Sequence, residues 1–128
     1  MIFSEEESAI YISTRHLSRI TKISYPSGDI IWNMGRDMPS GDVTIGHDLG
    51  FSFQHGLQRL DNGNIVTLDN GNLSQEFLGT PTPITRAIEI SIGNDLADIV
   101  WEYSLPENLF GFASVSYTHL TLPTNSRV

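Results

Sequence analysis

Cysteine is missing from the chain. Disulfides, thiolate metal sites and cysteine nucleophiles are therefore excluded. Basic residues are scarce: Lys plus Arg is 7 against 15 for Asp plus Glu, a net charge of -8. Such a surface repels polyanions, which argues against nucleic acid and anionic membranes as partners. The acidity itself reads as ordinary solubility. No apolar run reaches the ~18 residues of a membrane-spanning helix. Met1-Ile2-Phe3 runs straight into Ser4-Glu5-Glu6-Glu7, which is not the pattern of a signal peptide. Helical periodicity is also lacking. Residues 49–60 come nearest, and Gly50 and Gly56 argue against a helix there. There is no phosphate-cradling Gly loop and no G-x-S-x-G elbow.

What remains is β grammar in 128 residues, enough for one small domain. Residues 51–72, FSFQHGLQRLDNGNIVTLDNGN, carry most of it. A strand-like segment bearing Gln54-His55 turns through Asp61-Asn62-Gly63-Asn64 into a second strand. The passages on either side repeat one another. Residues 9–14, 18–23 and 28–32 are β-rich runs, and residues 64–69, 85–90 and 97–101 follow in the same order. Each copy ends in Asp-Ile-Ile/Val-Trp, at Trp32 and at Trp101. Turn formers join the runs: Tyr25-Pro26-Ser27-Gly28 in one copy, Gly93-Asn94-Asp95 in the other.

Period-two alternation places Ile88, Ile90 and Ile92 on one face of a pleat, and Ile99, Trp101 and Tyr103 on another. Ile20 and Ile23 break the alternation, so that strand is buried on both faces or bulged. With the strand expected at 51–59, the second copy has four antiparallel strands, the unit of a β-propeller blade. The expected fold is all-β: a fragment of a β-propeller with about two antiparallel four-stranded blades in an incomplete ring. The expected divisions are an incomplete blade at 9–34 lacking its opening strand, a full blade at 51–104, and the start of a third at 109–114. Residues 35–50 and 73–83 are expected to be loops. Two blades leave faces and edges that further blades would cover, so the isolated chain is expected to be marginal or aggregation-prone.

Residues 115–124, VSYTHLTLPT, resemble a translated sequencing adapter: the transposon end TCTTATACACATCT encodes Ser-Tyr-Thr-His-Leu. Residues 115–128 are accordingly read as a non-native tail, outside the fold, and His119 is given no role.

Few residues are candidates for chemistry. His55 lies on the expected innermost strand, which in a propeller lines the central channel. It reads either as a nucleophile or base with a near-neutral pKa, or as a hydrogen-bonded core histidine. Phe51 and Phe53 share its parity and Gln54 faces away. Arg15-His16 ends a strand, and Arg15 either holds an anion bidentately or is solvated. His47-Asp48 reads as a surface pair. His47 and His55 lack metal-ligand spacing, and the two Asp-Asn-Gly-Asn segments lack the order of a calcium loop and read as turns. No metal or cofactor is expected. Trp32 and Trp101 read as core or inter-blade packing.

Residues IYISTRHLSRITKI, GDIIWNMG, FSFQHGLQRLDNGNIVTLDNGN, ITRAIEI and IVWEYSLP together resemble the arylsulfate sulfotransferase family. Its members are six-bladed propellers. The resemblance implies transfer of a sulfuryl group from a phenolic sulfate to a phenol acceptor, without 3′-phosphoadenylyl sulfate. The route it implies is ping-pong, through a sulfated histidine. It gives His55 a catalytic place, binding or stabilising the sulfuryl group, and makes Arg15 a matching substrate-binding position. It puts the nucleophilic His downstream of where the adapter-like tail begins, and another channel His upstream of Ala9. The chain is thus expected to be a catalytically incomplete middle of such an enzyme. An active-site Arg expected a few residues after the second Asn-Gly turn is absent, since residues 72–75 read Asn-Leu-Ser-Gln. That departure leaves an alternative open: a non-catalytic propeller that binds a ligand or protein. Export to the periplasm or beyond is implied by the resemblance alone.

Overall fold

A computed structural model describes residues 1–36, 45–93 and 96–106. Its strands form two antiparallel four-stranded sheets, each in simple sequence order. Sheet 1 contains β1 (Ile2–Ser4), β2 (Ala9–Thr14), β3 (Arg19–Ser24) and β4 (Ile30–Gly35). Sheet 2 contains β5 (His55–Arg59), β6 (Ile65–Asp69), β7 (Arg86–Ile92) and β8 (Ala97–Ser104). Two consecutive meanders of this kind are two propeller blades, and the all-β expectation holds.

The register explains the repeat. Tyr11, Lys22 and Trp32 lie side by side across sheet 1; Val66, Glu89 and Trp101 do the same across sheet 2. Both sheets slip register at the same place. Ile31 is the extra residue in sheet 1, opposite the Lys22/Ile23 step, and Val100 is its counterpart opposite Glu89/Ile90. The broken alternation at Ile20 and Ile23 is thus a bulge.

Cross-strand partners point to the same face of a sheet. One face of sheet 1, with Tyr11, Ile20, Trp32 and Met34, packs against one face of sheet 2, with Ile65, Ile88 and Ile90. Ile20, Met34, Ile65, Ile88 and Ile90 are fully buried there. Each such aliphatic side chain contributes about 1.5–3 kcal/mol on burial. Tyr11 meets Trp32 edge-to-face with centroids 6.0 Å apart.

Several expectations need correction. The first blade does not lack its opening strand: β1 supplies it, pairing Ile2 with Tyr11 and Ser4 with Ala9. Three residues are too few to show alternation, and the acidic turn that follows masks them. The strand expected at 51–59 begins only at His55, because Phe53 has φ 51° and breaks extension. The 73–83 loop contains one helical turn, Ser74–Phe77. The Val100 bulge separates Ile99, which pairs with core Ile90, from Trp101 and Tyr103, which face the other way. The expected blade start at 109–114 and the tail at 115–128 lie outside the described residues.

Candidate functional site

The two sheets meet at two ends, and the candidate residues gather at one of them. After β2 the chain makes a single 3-10 turn, Arg15–Leu17, closed by Ser18 in the left-handed region at φ 52°. Arg15 and His16 are left exposed on that turn. The segment entering sheet 2 is tied to it. Gln54 is fully buried; its side-chain amide donates to Ser13 Oγ at 2.9 Å and to the Arg19 carbonyl at 3.0 Å. The Phe53 N–H donates to Ser18 Oγ at 3.2 Å. The His16 ring stands edge-on to Phe53, with centroids 5.4 Å apart. Gln54 therefore couples the blades, a role its apparent position on the far side of a strand had hidden.

His55 follows at the first position of β5, opposite Leu68, and is half-buried. The Thr67 hydroxyl donates to its carbonyl at 2.8 Å and holds this start of the strand in place. β1 and β5, the first strands of the two sheets, touch. Burial pushes the His55 pKa below its ordinary 6.5, the Phe53 backbone opposes this through a hydrogen bond, and the Arg15 charge adds to the lowering. The imidazole is thus biased to its neutral form, and the positive charge beside it is that of Arg15. Phe51, expected to flank His55, is instead in the core at 1% exposure. His47 and Asp48 are exposed in a turn just before Leu49.

Beneath the same end lies an ion pair that sequence reading passed over. Asp69 and Arg86 are paired across β6 and β7, with Arg86 Nε to Asp69 Oδ2 at 2.6 Å. Asp69 Oδ1 accepts from the Ser52 N–H at 2.8 Å, and Arg86 Nη2 donates to the Leu49 carbonyl at 2.6 Å. Glu102 approaches Arg86 Nη1 at 3.4 Å from β8. The signal was available: Arg86 and Arg19 occupy the same place in the repeat, and Asp69 replaces Thr14 opposite. Arg86 thus ties sheet 2 to the segment that enters it.

The opposite end holds a cleft of about 460 Å³ between the sheets, lined in part by Glu7, Tyr11, Lys22, Trp32 and Arg59. Glu7 accepts from Lys22 Nζ at 3.2 Å and from the Tyr11 hydroxyl, and its carboxylate lies 3.1 Å from Arg59 Nε. Burial raises the Glu7 pKa, but those hydrogen bonds and charges outweigh it and leave it lowered. Glu7 thus ties Lys22 of sheet 1 to Arg59 of sheet 2, with Glu6 3.9 Å from Arg59, and the cleft works as a clasp between blades. Among the described residues no three His, Asp or Glu side chains gather as metal ligands, and no helix is long and apolar enough to cross a membrane.

These features define a class: consecutive antiparallel blades of a β-propeller, with a half-buried histidine at the first position of the second blade and an exposed arginine on the turn after the second strand of the first. No protein-family model matches the sequence, and no curated protein matches it.

Proposed function

We propose that the chain is a section of a propeller enzyme of the arylsulfate sulfotransferase type, with His55 and Arg15 as sulfuryl-binding residues. The observation that supports this reading is a half-buried imidazole, with its pKa lowered in part by the Arg15 charge, at the start of the first strand of the second blade. Sulfuryl transfer needs donors around the equatorial oxygens of the moving group. Arg15 supplies a fork of N–H donors and fixed charge. A lowered pKa suits His55 to donating or accepting one hydrogen bond as neutral imidazole. In the full reaction a second histidine nitrogen would attack sulfur, the bond from sulfur to the aryl oxygen would break, and the phenolate would leave. A phenol acceptor would then give up its proton and take the group, restoring the histidine. No described residue of this chain fills the nucleophile's role, so the 128-residue chain is expected to bind but not turn over.

Titration of the chain with p-nitrophenyl sulfate, followed by NMR of the His55 ring, tests the binding half. Saturable shifts that Arg15→Gln weakens by about tenfold support it. Unmoved His55 signals overturn it. In the uninterrupted reading frame, His55→Ala should cut transfer from p-nitrophenyl sulfate to phenol by about a hundredfold. The lack of arginine in residues 72–75 favours a second reading, a propeller that binds a ligand without transferring anything. Binding without any transfer by the uninterrupted protein selects that reading.

A further inference from the structure

Residues 49–54 lead into β5 but belong to neither sheet. Leu49 and Phe51 are buried in the core between the sheets. Phe53 stands at φ 51°, where a bulky side chain is strained. Such a kink persists only where its surroundings fix it. Two ties come from sheet 1: the Phe53 N–H donates to Ser18 Oγ at 3.2 Å, and the buried Gln54 amide donates to the Arg19 carbonyl at 3.0 Å. The ties from sheet 2 converge on one ion pair. The N–H of fully buried Ser52 donates to Asp69 Oδ1 at 2.8 Å, and Arg86 Nη2 donates to the Leu49 carbonyl at 2.6 Å. Asp69 and Arg86 are locked to each other at 2.6 Å. The segment then delivers His55, which opens β5 opposite Leu68, the residue just before Asp69.

We propose that Asp69 and Arg86 are positioning residues for His55, acting through the kinked segment 49–54 that they hold against sheet 2. The repeat supplies an internal comparison. At the same register in sheet 1, Thr14 stands opposite Arg19, and the Thr14 hydroxyl donates to the Arg19 carbonyl at 3.0 Å. A blade of this sequence therefore forms without a buried ion pair at that place. Burying two charges is costly, and a blade gains nothing from it that a neutral pair does not supply. What Asp69 and Arg86 add is the hold on Ser52 and on Leu49. The fork of Arg86 suits this task, since it reaches Asp69 through Nε and Leu49 through Nη2 at once. That the seat of His55 matters to chemistry rests on the sulfuryl-transfer reading; the seating itself does not.

NMR titration of the His55 ring in folded variants tests this. Arg86→Lys keeps the charge but has no fork to span Asp69 and the Leu49 carbonyl. It should move the His55 midpoint up toward 6.5, because a loosened segment leaves the ring less buried. Asp69→Asn, close in shape, should move it the same way, and it serves alone if Arg86→Lys loses its β-sheet circular dichroism. Two controls separate positioning from stability. Glu102→Gln removes the carboxylate that meets Arg86 at 3.4 Å without touching the hold on the segment. Ile88→Val thins the core of sheet 2 and should lower the urea midpoint. Neither should move the His55 midpoint. In the uninterrupted protein, Arg86→Lys should lower kcat for sulfuryl transfer by about tenfold with KM little changed. Absence of transfer in the unaltered protein would remove the sulfuryl reading and leave the midpoint comparison to decide the positioning role. A His55 midpoint that stays in place in the folded ion-pair variants, or that moves as far in Ile88→Val, overturns the proposal.

Discussion

His55 is the residue whose chemistry can be read most directly. Unfolded, its imidazole takes the ordinary value of 6.5; folded, burial and Arg15 lower it. The folded state then binds the proton less well than the unfolded chain. The stability that follows from this is whole above 6.5 and is lost as pH falls through the folded value. An NMR titration of the His55 ring should therefore give a midpoint below 6.5. Arg15→Gln removes one of the lowering causes and should move the midpoint up, toward the ordinary value, without restoring it, because burial is the larger cause. A midpoint at or above 6.5 in the unaltered chain would remove the neutral-imidazole assignment. His55 and Arg15 could be singled out as candidates from the sequence because their side chains are chemically distinct. Gln54, Asp69 and Arg86 could not. Their roles come from contacts between residues far apart in sequence, such as Gln54 with Ser13, and such contacts leave no mark on local pattern.

Among the elements, the turn that leaves β6 shows how closely backbone packs at the Asp69 end. Gly71 has φ 79°, and a Cβ there would lie 1.8 Å from the Ile84 carbonyl oxygen. Its N–H meets the Ser52 carbonyl at 3.0 Å, so it cannot retreat without loosening the entry to sheet 2. Gly71→Ala combines left-handed strain with a backbone clash and should cost at least about 3 kcal/mol. Gly63, in the β5–β6 turn, has φ 91° and open space around it. Gly63→Ala should cost only about 1–2 kcal/mol. Urea unfolding of the two variants side by side checks the difference, and equal losses would mean the Ile84 contact relaxes at no cost. Turns of this sort were plain in the sequence, since Asn-Gly marks both. Strand order was plain too, because the repeat carries it. The opening strand β1 escaped notice for want of length, and the face of Trp101 was misread because one bulged residue, Val100, reverses every side chain beyond it.

For the molecule as a whole, two forces act on its uncovered sheets in opposite directions. The exposed aromatic and isoleucine faces favour association, while a net charge of -8 on each copy opposes it. The charges are spread over the surface, so most of the repulsion acts across several ångströms of water and is open to screening. At about 0.01 M salt the Debye length is about 30 Å and repulsion spans the whole contact; at about 1 M it is about 3 Å and little remains. The apolar contact itself is not weakened by salt. Sedimentation velocity should therefore find the chain shifting from monomer toward larger species as sodium chloride rises at fixed protein concentration. Trp101→Glu should lessen the shift twice over, by removing exposed apolar surface and by adding negative charge to that face. Thermal unfolding should follow the same trend, with midpoints that rise with protein concentration in high salt and less so in low. If added salt instead dissociates the species, the contact is held by ion pairs rather than by the apolar faces.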